Sequence, residues 1–186
     1  MNLEKIKTAL TSKINPKINN SENQKLAAVL IIIYDNPPKI LMTKKPTTMT
    51  QHGGEISFPG GKLIDSDYNL LETALRETKE ETGLNISKND VIGQLKQVIT
   101  LNSGFTILPF VCILDSITNL VANSEVEAFL QIPLIPFLET LENDIEPEHN
   151  SIQEMYLFTF EKNIIWGASA RMLKNIKENL TRENCF

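Results

Sequence analysis

The chain has 186 residues, 41% hydrophobic and 22% charged, which suits one ordinary globular core spanning 1–186 and excludes intrinsic disorder. With 18 basic against 23 acidic residues the net charge is −5, which argues against a long nucleic-acid footprint. Cys112 and Cys185 suggest no disulfide framework, and neither a signal core nor a bilayer-length apolar run is visible, so a soluble cytoplasmic protein without a membrane partner is expected.

Leu3, Ile6, Leu10 and Ile14 recur at helical spacing and predict an amphipathic helix over about 2–14. A linker with Pro16 and several Asn follows. The run KLAAVLIIIY at 25–34 reads as a buried strand, 35–38 as a turn, and 39–43 as the partner strand of a hairpin. Residues 44–54 are polar and irregular, a loop that carries Lys45 and His52. EISF at 55–58 is a short strand that leads into Pro59-Gly60-Gly61, then into a turn bearing Asp65 and Asp67.

From Leu70 the spacing changes. Leu70, Leu71, Ala74, Leu75 and Thr78 form one helical stripe, and Gly83 is the stop signal. Glu77, Glu80 and Glu81 then project from one face of the last turns, because positions i, i+3 and i+4 share a face at about 100° per residue. Like charges at this spacing cost roughly 0.2–0.5 kcal/mol per pair, and a helix C-terminus disfavours negative charge. A hard divalent cation such as Mg²⁺ or Mn²⁺ would offset the cost, taking carboxylate oxygens and leaving positions for water and phosphate. The alternative is a solvated Glu/Lys face with ordinary Glu72–Arg76 and Arg76–Glu80 pairs. The glycines upstream favour the cation, since they let a metal or phosphate approach the backbone.

Beyond the helix, 91–100 and 105–114 read as strands, with Pro109 inside the second favouring an edge or a bulge. Phe105 is either a base-stacking residue or core. The stretch 124–127 carries Glu125 and Glu127. It precedes FLQIPLIPFLET, and 139–148 is a solvated connection. Met155 to Phe160 is a further strand. A closing helix over about 167–180 packs through Trp166, Met172, Leu173 and Ile176.

The stretch from Gly61 to Leu84 resembles the signature of the Nudix hydrolases, G-x5-E-x7-R-E-U-x-E-E-x-G-U with U a bulky aliphatic. Gly61, Arg76, Glu77, Glu80, Glu81, Gly83 and Leu84 match. Asp67 stands in the place of the first Glu, one extra residue separates it from Arg76, and Thr78 replaces an aliphatic. The first two departures are similar to the coenzyme A pyrophosphatase branch. So are Leu41, Thr43, Gly54 and Phe58 to Gly61, the run NSGFTILPFV, the E-V-x-E before a Pro-Leu turn, and IIWGASARML. Lys45, Pro46 and Thr50 depart from that branch, two of them where it carries arginines.

The resemblance implies a Nudix-type α/β/α sandwich with a mixed β-sheet. It also implies metal-dependent hydrolysis of a nucleoside diphosphate derivative, coenzyme A or its acyl esters first, with ADP-ribose, NADH or a dinucleoside polyphosphate as alternatives. From it, Glu77, Glu80, Glu81 and the Gly61 carbonyl are expected at Mg²⁺ or Mn²⁺, with Glu80 or Glu125 as the base and Glu127 behind it. Lys45, His52, Gly60 and Phe105 are expected at the substrate, and Arg76 and Asp67 as supports. A non-catalytic ligand-binding module is the reading from another class, and an isopentenyl diphosphate isomerase is disfavoured because Cys112 sits in a core strand. Homodimers are common in the family, but no interface is legible here.

Overall fold

The structure is a computed structural model describing residues 2–17, 24–49, 53–101, 103–145 and 155–185. Its organising strand is β1 (Lys25–Tyr34), buried along nearly its whole length. The hairpin partner β2 (Lys39–Lys44) pairs with it antiparallel, as expected, and β3 (Ile56–Ser57) continues outward from β2.

Two features of this half of the sheet differ from the sequence reading. Gly60–Lys62 is a strand, β4, pairing antiparallel with β1 so that Gly61 lies opposite Ala28. Residues 128–133 also form a strand, β8 (Ala128–Pro133), which pairs with β2 before the chain enters a short helix, α3 (Leu134–Glu139). Glycine has low strand preference and FLQIP does not alternate cleanly, so pairing with neighbours decides both segments.

On its other side β1 runs parallel to β7 (Phe105–Leu114), in register from Lys25 with Phe105 to Tyr34 with Leu114. The expected strand over 91–100 is broken into β5 (Val91–Gln94) and β6 (Val98–Ile99), both antiparallel to β7. Pro109 lies inside the sheet, and the interruption falls on the strand opposite. Its carbonyl accepts from Leu95 N–H at 2.9 Å, so the side on which proline lacks a donor faces the gap between β5 and β6. The register shift between Val91 and Gly93 is on the same side.

Alternate residues of β1 feed two cores. Ala28, Leu30, Ile32 and Tyr34 pack beneath α2 (Leu70–Thr82). Val29, Ile31 and Ile33 pack beneath α1 (Leu3–Leu10), α3 and α4 (Gly167–Arg182). A small antiparallel sheet of β9 (Glu142–Asn143), β10 (Tyr156–Phe160) and β11 (Asn163–Ile165) closes this second side, with Phe137 5.5 Å from Phe158 between ring centroids. Asp144 is buried in the stretch read as a solvated connection.

The α1 helix is shorter than its apolar spacing predicts. Thr11 leaves the helix for an extended conformation, and Ser12 N–H then bonds Ile92 O on β5 at 3.2 Å, which ends α1 against the sheet. In α4, Met172, Leu173 and Ile176 are buried as expected, but Trp166 stands at the helix N-cap position and is 40% exposed. Among the described residues no helix is long and apolar enough to cross a membrane.

Candidate active site

Local chemistry sets the ends of α2. Asn69 Oδ1 accepts from the N–H groups of Leu71 (2.9 Å) and Glu72 (3.1 Å), and Gly83 closes the helix at φ 75°, where its N–H bonds Lys79 O at 2.9 Å. The buried face differs from the stripe expected. Leu70, Ala74 and Thr78 are buried, joined by Thr73, Glu81 and Thr82, whereas Leu71 and Leu75 are only half-buried. Glu81 lies three residues beyond Thr78 and seven beyond Ala74, so it continues the core-facing stripe.

This rotation makes the three glutamates unequal. Glu81 is 5% exposed, and its Oε2 accepts from Gly60 N–H at 3.3 Å. Burial pushes its carboxyl up to about 7, opposed by the Gly60 bond and by Lys45, and reinforced by the charges of Glu77 and Glu125. Glu77 packs on Gly61, where an added Cβ would stand 2.4 Å from Glu77 Oε1. Burial raises its proton affinity too, with Arg76 acting against it and Glu80 and Glu125 adding to it. The Glu80 side chain is mostly exposed and meets Arg76 Nη1 at 3.4 Å.

Gly60 is required by close approach, since a Cβ there would stand 2.3 Å from Ala28 O. The glycine pair thus lets β4 lie flat on β1 and lets the Glu77 carboxylate reach the backbone of β4.

Arg76 and Asp67 hold this arrangement. Arg76 Nε and Nη2 bind the two oxygens of Asp67, each at 2.9 Å, in a bidentate pair. The same guanidinium donates to Glu77 Oε1 at 2.9 Å and to Lys62 O at 3.2 Å. Asp67 also accepts from Thr73 Oγ1 (2.9 Å) and Ile64 N–H (3.3 Å), and its side chain is almost wholly buried. The Arg76 bond holds its carboxyl below the usual range. The shorter acid therefore reaches its partner because Arg76 comes to it.

Lys45, on the turn from β2 to β3, has Nζ 4.0 Å from Glu125 Oε2, and both it and Glu125 act on the titration of Glu81. Glu127 instead takes Thr47 N–H at 3.2 Å. Phe105 is half-buried, with the Lys25 and Lys62 ammonium groups 5.7 and 5.4 Å from its ring centroid. His52, like Thr50, lies outside the described residues.

Among the described residues no three acid, histidine or cysteine side chains stand as a ready-made ligand set. Arg76 spans Glu77 and Glu80, and Glu81 turns to Gly60. The donors nevertheless suit a hard divalent cation: they are carboxylate oxygens, one buried and one half-buried so that desolvation penalises both charges, against glycine backbone that leaves room beside them. A cavity of about 320 Å³ lies elsewhere, between β6 and α4, lined by residues such as Lys96, Tyr156 and Arg171 and by none of the α2 acids.

Helices on both faces of a mixed sheet, one of them presenting acids to a glycine strand, define an α/β/α sandwich. The NUDIX domain family profile matches residues 24–165. A Nudix hydrolase of Yersinia enterocolitica serotype O:8, NudL, is 34% identical over 164 residues, covering 86% of this chain and 84% of its own. Among solved structures, a MutT/nudix family protein from Enterococcus faecalis superposes with TM-score 0.62 at 14% identity, over 89% of this chain and 65% of its own. A MutT protein from Methanosarcina mazei Go1 gives TM-score 0.56 at 17% identity, over 89% and 99%. The chain belongs to the Nudix hydrolase family, pyrophosphohydrolases of nucleoside diphosphate derivatives that generally depend on divalent metals.

Proposed function

We propose that the protein hydrolyses the pyrophosphate of coenzyme A or its acyl esters, releasing 3′,5′-ADP and (acyl-)phosphopantetheine. The observation that carries the hydrolase reading is the pair of buried Glu81 and half-buried Glu77, set against Gly60 and Gly61 with raised proton affinity. Glu77, Glu81 and the Gly61 carbonyl hold the cation, with Glu80 beside them. A bound Mg²⁺ or Mn²⁺ supplies charge neutralisation at phosphate oxygens and acidifies water. Arg76 orients Glu77 and Glu80, and Asp67 fixes Arg76. Glu125 accepts the proton of the attacking water, with Glu80 as second choice. In support, Glu125 is exposed, and its charge is felt by both Glu77 and Glu81.

For the substrate, support comes from the stretches around Leu41 to Gly61 and Phe105 to Pro109 that resemble the coenzyme A branch. Lys45 supplies the positive charge over the site as a point charge where the branch has an arginine fork. That loss favours a second reading, another nucleoside diphosphate derivative such as ADP-ribose, NADH or a dinucleoside polyphosphate. The deciding experiment is product analysis for these substrates and for coenzyme A and acetyl-coenzyme A with Mg²⁺ or Mn²⁺, beside Glu81→Gln. Coenzyme A turnover that dominates and disappears in the variant supports the proposal. Dominance of another substrate discards coenzyme A, and absence of all turnover sinks the hydrolase reading in favour of a binding module.

A further inference from the structure

Two lysines converge on one aromatic ring on the face of β1 and β4 that turns away from α2. Lys25 opens β1 and Lys62 closes β4; pairing of the strands sets Lys62 opposite Ala27, and β7 sets Phe105 opposite Lys25. Their ammonium groups stand 5.7 and 5.4 Å from the Phe105 centroid. Lys25 donates to Ser103 O at 3.3 Å, and among the described residues neither lysine has a carboxylate partner. Both lysines are exposed, and Phe105 is half-buried between them. In a chain of net charge −5, two like charges on one ring, without a carboxylate partner among the described residues, form a local positive field that an anion would relieve. The ring offers each ammonium some attraction, but this does nothing to cancel their mutual repulsion.

The place of the pair matters. Lys62 follows Gly61, the residue against which Glu77 packs, and its carbonyl is held by Arg76. Gly61 faces α2 and Lys62 the other side of the sheet, so a ligand whose pyrophosphate lies at Glu77 and Glu81 meets this cationic patch by crossing β4 at Gly61. Resting on the pyrophosphohydrolase reading, we infer that Lys25 and Lys62 form a second anion subsite, which reads a phosphomonoester on the ribose of the substrate's nucleoside. Phe105 is the apolar wall beside it. The subsite selects nucleosides that carry this extra phosphate over those that end in a free hydroxyl. A compact ammonium suits a phosphomonoester as a point charge, and two of them match its double charge.

The test is equilibrium binding by calorimetry of 3′,5′-ADP and of 5′-AMP to wild-type protein, Lys62→Met and Lys25→Met. Both lysines are exposed, so the variants keep the fold, which circular dichroism checks. Wild type should bind 3′,5′-ADP about tenfold more tightly than 5′-AMP, the scale of one charge-assisted contact. In each methionine variant that ratio should fall toward one, and Lys62→Arg should restore part of it. Equal affinity for the two nucleotides in wild type, or a ratio unchanged in both methionine variants, overturns the subsite. Binding is read without turnover, so the two ideas fail separately. Coenzyme A cleavage without nucleotide discrimination sinks the subsite alone, and discrimination without any cleavage sinks the hydrolase alone.

Discussion

Replacing Glu81 by Gln should make the metal-free protein more stable at pH 8 and remove its activity. The folded-state pKa of Glu81 is about 7 against an ordinary 4.5, because burial disfavours the charged form. A raised folded pKa means that the neutral form favours the fold. Its contribution is present in full below about pH 4.5 and is lost as pH climbs through 7. At about 1.4 kcal/mol per pH unit, the rise amounts to about 3 kcal/mol as an upper bound. Glutamine keeps the acceptor for Gly60 N–H, but its buried amide hydrogens take back about 1 kcal/mol, leaving about 2 kcal/mol. For a chain of this size that is a gain of about 4–8 °C in Tm at pH 8. The assay is thermal unfolding of wild type and Glu81→Gln in EDTA from pH 5 to 8, read as the difference between the two so that other titrations cancel. The variant should gain steadily on wild type as pH rises. A difference that stays flat, or a variant less stable at every pH, refutes the assignment of Glu81 as a buried acid charged at a cost.

Other substitutions separate folding from function. Gly61→Ala puts a Cβ 2.4 Å from Glu77 Oε1, the far end of a side chain that Arg76 also holds, so Glu77 should shift and turnover fall by about 100-fold while Tm changes little; a cooperative loss of Tm would count against this. Thr78 is buried and its Oγ1 has no hydrogen-bond partner among the described residues, so Thr78→Val should stabilise by about 1 kcal/mol in urea titration, with no gain meaning that the hydroxyl is satisfied. Asp67 has a lowered pKa, so its contribution is present above the ordinary carboxylate range and lost as pH falls through its folded pKa. Asp67→Asn should cost about 3 kcal/mol at pH 7 by leaving Arg76 half-paired, and the gap to wild type should narrow in acid; a gap constant with pH would contradict it.

The helix that carries the acids was legible in outline. Its period and its Gly83 stop are in the sequence, but the buried face is turned from the expected stripe, with Leu71 and Leu75 half-buried and Thr73, Glu81 and Thr82 in the core; the β1–β2 hairpin follows from its apolar run. The burial of Glu81 was also within reach, since extending the Leu70, Ala74, Thr78 spacing lands on it, but a carboxylate is read as solvated by default. What could not be read depends on pairing between distant strands. Gly60–Lys62 becomes a strand only because β1 accepts it, and β8 only because β2 does. The Lys25, Lys62 and Phe105 cluster comes from three strands far apart in sequence. Likewise the Asp67–Arg76 fork depends on how the turn before α2 folds back, which its Asp residues alone do not dictate.

The central claim is that Glu77, half-buried against Gly61, and the buried Glu81 together hold a cation. Its most direct test is calorimetric titration of Mn²⁺ into wild type and Glu81→Gln at pH 8. Binding in wild type, weakened at least tenfold or lost in the variant, with protons released at pH 6.5 where Glu81 is partly neutral, is the expected result. Equal binding by the two proteins, or none by either, contradicts it.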